Sequence, residues 1–207
     1  MLIQAQVGPA VSSTSLGAGT NPNLRLDNLG GLTVTQLNSR YYETTYRRQM
    51  YTVANQSGVT TSAALTTTYV GLCLDNPTTS TVNLVLTKAG YSFTVAPAAA
   101  VAVGLMTGTG SSISTNLVTA RNRFVNGVGS QALASTSLTL PGTPVLETIL
   151  DTVTTAAITT APKGVGALID LEGSLILPPG AFVAFYTSTA SGASGFFGSF
   201  QWIEVPL

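Results

Sequence analysis

From about residue 50 onward, apolar side chains fall at every second position in short runs separated by Gly, Pro, Asn and Ser. A period of two marks a strand that buries one face, and regular turn signals between such runs mark a sandwich or barrel. VGLCLD at 70–75 places Val70, Leu72 and Leu74 on one face. TVNLVLTKAGYSFTVAP at 81–97 reads as a hairpin: Val82, Leu84 and Leu86 alternate, Lys88-Ala89-Gly90 turn, and Tyr91, Phe93 and Val95 return. AVAVGLM at 100–106 and ALASTSLTL at 132–140 are further strands, and PVLETILDTV at 144–153 reads as a strand with one short helix as the alternative.

The C-terminal quarter is the most regular. GALIDLEG at 166–173 alternates, with Ile169 and Leu171 inward and Asp170 and Glu172 outward. SLILPPGAFVAFYT at 174–187 is a strand, a Pro178-Pro179-Gly180 turn and a second strand. In GFFGSFQWIEVPL at 195–207, Phe200, Trp202 and Glu204 share one face, and Ile203 and Val205 the other. Strand 181–187 is apolar on both faces, with Ala181, Val183 and Phe185 against Phe182, Ala184 and Tyr186, which calls for cover on both sides. An opposing sheet and a neighbouring subunit are the expected covers. The predicted architecture is an all-β antiparallel sandwich, jelly-roll-like, over residues 33–207.

Residues 1–32 read as an extended N-terminal arm, because VSSTSLGAGTNPN at 11–23 and DNLGG at 27–31 are too rich in Gly, Ser, Asn and Pro for a packed element. Scattered leucines do not offset the ordering entropy of such a segment unless a preformed surface receives them, so the arm is expected to order on a partner. Between arm and sandwich, TVTQLNSRYYETTYRRQM at 33–50 fits two patterns. Leu37, Tyr41 and Thr45 share helical spacing, and Glu43 precedes Arg47 by four; as a strand, Tyr42, Thr44, Tyr46 and Arg48 share a face. The β-branched and aromatic content favours the extended form.

Charge is sparse, at 8% of the 207 residues, whereas Thr alone contributes 32. A soluble monomer ordinarily relies on interspersed surface charge. A Thr/Val/Gly-rich surface with so little points to cover by other chains, and with the two-sided apolar strands it predicts a homo-oligomer, taken as a trimer. The other reading is a neutral, hydroxyl-solvated secreted domain. Net charge is zero but uneven: residues 1–130 carry seven basic and three acidic side chains (+4), and residues 131–207 one basic and five acidic (−4). Opposite signs suit contacts between copies, or cancel within one fold. With no basic excess, nucleic acid is not an expected partner. The run VAPAAAVAVGLM at 95–106 is too short and too rich in Ala and Gly to span a bilayer, so no membrane is expected either. Cys73 has no second cysteine to pair with, and no basic-then-apolar leader is visible at the start. Assembly in a cytoplasm is expected.

The chain contains no histidine. That removes the Ser-His-Asp and Cys-His constellations, and with a single cysteine it leaves no structural zinc site. No phosphate-binding glycine motif is present. Two carboxylate pairs remain: Asp170 with Glu172, and Glu147 with Asp151. Alternate residues of one strand lie about 7 Å apart, within the range that glycosidases use, but acids on an outer strand face are ordinarily solvated. Ca²⁺ accepts such oxygens, yet no D-x-D-x-D-G loop appears. The expectation is no catalytic residue, no metal and no cofactor. Cys73 is expected as a small buried hydrophobe and Trp202 as a core anchor with its N–H on a carbonyl; a sugar-stacking platform is the alternative for Trp202.

The candidate interface with a shell or subunit comprises Arg25, Arg40, Tyr41, Tyr42, Tyr46, Arg47, Arg48, Phe182 and Phe185, because Tyr and Arg are over-represented at binding hot spots and two-sided apolar strands need cover. The other reading is an ordinary first strand whose tyrosines enter the local core.

LNSRYYETTYR at 37–47, TTTYVGLCLDNPTTSTVNLVLTKAGYSF at 66–93 and DLEGSLILPPGAFVAFYTSTASGASGFFGSFQWIEVP at 170–206 resemble a group of small tailed-bacteriophage virion proteins. In that group "GLCLDNP…VNLVL" and "LPPGGFVA…WEE"-like endings recur; here the ending is W-I-E and the turn P-P-G-A. The resemblance spans most of 35–206. It implies a β-sandwich exposed on a virion, often trimeric, that decorates or cements the capsid or serves as a head fibre, with the major capsid protein or other virion proteins as partners. The chain is then expected to bind the shell through its N-terminal segment, residues 1–32, and to stabilise it. It carries no active-site residue. A receptor- or glycan-binding module of a tail or head fibre is the alternative, and a groove lined by exposed aromatics and carboxylates would favour it.

Overall fold

The computed structural model describes residues 5–7, 24–26, 40–95, 97, 99–115, 117–153 and 166–207. The chain divides into two compact units, Met1–Glu43 and Thr44–Leu207. In the first, β1 (Ala5–Val7) and β2 (Leu24–Leu26) pair in parallel. The rest of the expected arm lies outside the described residues.

Among its described residues, the second unit is all β apart from one short helix at its start. Its strands are β3 (Met50–Ala54), β4 (Thr68–Asp75), β5 (Val82–Phe93), β6 (Val101–Thr109), β7 (Arg121–Asn122), β8 (Leu133–Thr139), β9 (Val145–Val153), β10 (Gly166–Leu177), β11 (Ala181–Thr187) and β12 (Phe196–Pro206). They form two five-stranded antiparallel sheets, ordered β10-β5-β12-β3-β7 and β8-β4-β11-β6-β9. Four antiparallel pairs nest inside one another: β3 with β12, β4 with β11, β5 with β10 and β6 with β9. That is a long two-stranded ribbon rolled on itself, closed where β12 also pairs β5 and β11 also pairs β6. The result is a jelly roll, with β7 and β8 added at the far edge of each sheet. Pro178-Pro179-Gly180 carries the chain from one sheet to the other, with Gly180 at φ 81°.

The main core lies between the sheets. Phe200, Trp202, Leu84, Leu86 and Phe196 from the first sheet meet Leu72, Leu74, Leu105, Val183 and Phe185 from the second. The Phe185 ring stacks on Phe200 with centroids 4.7 Å apart, and meets the edge of Phe196 at 5.4 Å. A second cluster covers the outer face of the second sheet, where Phe182, Ala184, Cys73 and Met106 pack under Tyr69, Ile113, Leu138 and Leu140. The second face of β11 is therefore covered by the chain itself, where a neighbouring subunit was one of the expected covers. Tyr69 locks this layer to the sheet: its hydroxyl donates to the Phe185 carbonyl at 2.9 Å and occupies the space a side chain at Gly71 would need. Gly71, at φ 150°, sits in the bulge where β4 shifts register against β8.

Three expectations are corrected. Residues 81–97 are not a hairpin. Val82–Phe93 is one strand, and its partner register skips from Leu86 to Lys88 opposite Trp202 and Gln201. The extra residue, Thr87, donates its hydroxyl to the Gln201 carbonyl. One extra residue reverses the inward parity. Val82, Leu84 and Leu86 face in before the bulge, and Ala89, Tyr91 and Phe93 after it. Along the sequence, this change of phase mimics a change of direction.

Around residue 45 the chain is helical, not extended: α1 spans Tyr42–Tyr46. It closes in a Schellman motif, with Gln49 N–H donating to Thr44 O at 3.0 Å and Arg48 N–H to Thr45 O at 2.9 Å. Arg48 takes the left-handed position at φ 62°, where Gly is usual. The Glu43/Arg47 spacing supports that helix. Finally, Trp202 is fully buried beside Tyr51, with ring centroids 6.0 Å apart, but its Nε1–H meets no carbonyl or other acceptor among the described residues. Cys73 is buried as expected, and burial pushes its thiol well up.

Candidate functional site

The Tyr/Arg segment lies at the surface. In the first unit Arg40 and Tyr42 are exposed, Tyr41 is half-buried, and the Arg40 guanidinium stands 5.3 Å from the Tyr41 ring centroid. In the second, Tyr46 is 56% exposed, and Arg47 and Arg48 are exposed with it. Arg48 lies over the Phe124 ring at 5.1 Å, and its carbonyl accepts the Asn122 side-chain amide. These contacts join the end of α1 to β7, because Arg121 and Asn122 pair with Thr52 and Tyr51. Arg121 and Arg123 are exposed on the same edge. Arg25 falls in β2, opposite Gln6; its side chain lies outside the described residues.

Phe182 and Phe185 do not belong to a surface. They are 0% and 1% exposed in the isolated chain, on opposite faces of β11. Both are core residues, and as members of a candidate interface they are corrected. Alternation showed that both faces of β11 need cover, but not whose atoms supply it.

The carboxylates divide by environment. Asp170 pairs with Lys88 at 3.2 Å and accepts the Glu172 N–H at 3.0 Å. Glu172 and Gly173 both have positive φ, in the irregularity where β10 shifts register against β5. Glu147 accepts the Thr107 hydroxyl, and Asp151 the Tyr91 hydroxyl. Glu204 faces inward and is buried, accepting Ser130 Oγ and the Gln131 N–H. Asp75 was not singled out by any motif. It is buried, accepts the Ile113 N–H through Oδ2, and has Oδ1 without a hydrogen-bond partner among the described residues. Burial raises its carboxyl to about 6, against the pull of that hydrogen bond. Beside it, Asn76 donates to the carbonyls of Val82 and Leu177, tying the β4–β5 turn to the end of β10. No group of three or more metal-ligating side chains occurs among the described residues.

Two of the grooves at the first sheet bear on the site. One, of about 570 Å³, crosses its outer face over Ala54, Gly90, Ser92, Leu168, Phe197 and Ser199. Its lining has aromatic character at Phe197 and no carboxylate. The other, of about 350 Å³, runs between the edge strands β9 and β10 and is lined by Leu105, Ile149, Leu150, Ile169, Leu171 and Leu175 together with Glu147. No helix among the described residues is long and apolar enough to cross a membrane. Compared with known proteins, the chain matches no protein-family model and no curated protein.

Proposed function

We propose that this chain is a bacteriophage virion structural protein, without enzymatic activity, that decorates or cements the capsid as a homo-oligomer. The observation that carries the reading is the exposed Tyr46-Arg47-Arg48 corner, held to the β7 side by the Arg48–Phe124 contact. Arginine and tyrosine held in place before contact lose little entropy on docking, which is what a repeated shell-binding site requires. The jelly roll supports the reading only as a fold, since this architecture serves many functions. The resemblance of the 66–93 and 170–206 stretches to small tailed-phage virion proteins adds the partner: the capsid shell.

The test is co-sedimentation of the purified full chain with empty tailed-phage shells lacking decoration. The chain should travel with the shells, and Tyr46→Ala/Arg47→Ala should reduce the bound fraction at least tenfold while the far-ultraviolet circular dichroism spectrum is unchanged. Wild-type protein that stays at the top of the gradient, or a variant that binds as wild type does, defeats the proposal. Saturable binding to a glycan array in place of shells would move the assignment to the receptor-binding class.

A further inference from the structure

Apart from Lys88, which pairs with Asp170, charge among the described residues of the second unit is sorted by edge. Its described exposed carboxylates, Glu147, Asp151, Asp170 and Glu172, all stand on β9 or β10, the strands that bound one side of the sandwich. Its arginines, Arg47, Arg48, Arg121 and Arg123, all lie on or beside β3 and β7, at the other end of the first sheet. Each side also exposes large apolar groups. On the acidic side these are Ile149, in the groove between β9 and β10, and Val145, Leu168 and Ile176 elsewhere on the two strands. On the basic side the turn closed by Gly127 N–H to Phe124 O presents Val125, which is 87% exposed.

We propose that copies of this chain dock head to tail, the acidic β9–β10 side of one receiving the β7 edge of the next at Arg121 and Arg123, with the Val125 turn of that copy entering the apolar groove and the Tyr46-Arg47-Arg48 corner outside the contact. A two-fold contact through either side would bring like charges together. The head-to-tail contact brings exposed carboxylates of one copy to the Arg121 and Arg123 guanidinium groups of the next. Such a heterologous contact closes into a ring when its rotation permits and otherwise runs on as a filament. The edge strands themselves are poor templates for a continuous sheet. β9 shifts register twice against β6, and β10 is kinked at Glu172 and Gly173, so the contact is made by side chains. This inference rests on the homo-oligomer in the proposed function, but not on the capsid.

The experiment is sedimentation velocity of the full chain at about 50 mM and about 500 mM NaCl, conditions that separate screened from unscreened charge. It compares wild type with Arg121→Glu/Arg123→Glu, Glu147→Lys/Glu172→Lys, the combination of all four, and Val125→Asp. Wild type should associate at low salt and weaken at high salt. Either reversal alone and Val125→Asp should raise the dissociation constant at least tenfold, and the four-fold combination should return it to within about threefold of wild type. Should a reversal fail to give a cooperative melt, Arg121→Gln/Arg123→Gln takes its place, with a loss of at least threefold. A wild-type chain that stays monomeric at both salts overturns the homo-oligomer and this inference together. An oligomer that ignores the reversals, or reversals not rescued by the combination, overturns the head-to-tail contact alone.

Discussion

The hydroxyl of Tyr91 donates to the carboxylate of Asp151, joining β5 in the first sheet to the edge strand β9 of the second. Tyr91 points inward only because the Thr87 bulge changed the parity of β5. Burial, and then the adjoining carboxylate, push its phenol far up, so it remains a donor across the accessible pH range. Elsewhere β9 is largely exposed, held by its pairing with β6. Tyr91→Phe should therefore cost about 1.5–3 kcal/mol, in the range of a hydrogen bond to a charged acceptor. Hydrogen exchange should quicken at β9 amides with little change at β5; equal quickening of both strands would contradict this.

Asp75 gives the fold a definite pH response. A carboxyl raised from 3.8 to about 6 holds its proton more tightly folded than unfolded. Its contribution is greatest below the unfolded value and is lost as pH rises from about 4 through 6. The full effect is about 2–3 kcal/mol, from roughly 1.4 kcal/mol per pKa unit. Asp75→Asn keeps an acceptor for the Ile113 N–H and removes the charge. Urea denaturation of this variant should show higher stability than wild type at pH 7.5, and equal stability near pH 4.

Phe185 and Phe182 should behave as core residues. Phe185→Ala removes the ring stacked on Phe200 and should cost about 3–5 kcal/mol, as should Phe182→Ala in the outer cluster. Equilibrium unfolding should give the same loss at low and at twentyfold higher protein concentration. A loss that shrinks with concentration would instead indicate an intersubunit role.

Arg48 serves two ends that one substitution separates. A non-glycine residue in the left-handed region costs about 1–2 kcal/mol, and Arg48 holds φ 62° at the end of α1. Arg48→Gly should leave thermal stability unchanged or raise it by a few degrees, with relief of backbone strain set against loss of the Phe124 contact. Shell binding should fall at the same time. Parallel loss of both would show that Arg48 is purely structural.

Local alternation was enough to identify most of the strands and their inward residues. Leu72 and Leu74 in β4, Ile169 and Leu171 in β10, and Phe200, Trp202 and Glu204 in β12 all face as the period of two requires. The sandwich class followed, because a pleated strand with one apolar face has few stable partners. Tertiary structure alone decided whatever depends on which strand lies beside which. Thr87 is a bulge only in register with Gln201, and Phe182 is covered only because Tyr69, Ile113 and Leu138 are folded over it. Asp75 is buried through long-range packing that no neighbouring residue announces. The uneven charge of the two halves was visible along the chain, but its meaning came from the ribbon's winding. That winding carries β9 and β10 to one side of the sandwich and β7 to the other, sorting by distance in space what the sequence sorts only by order.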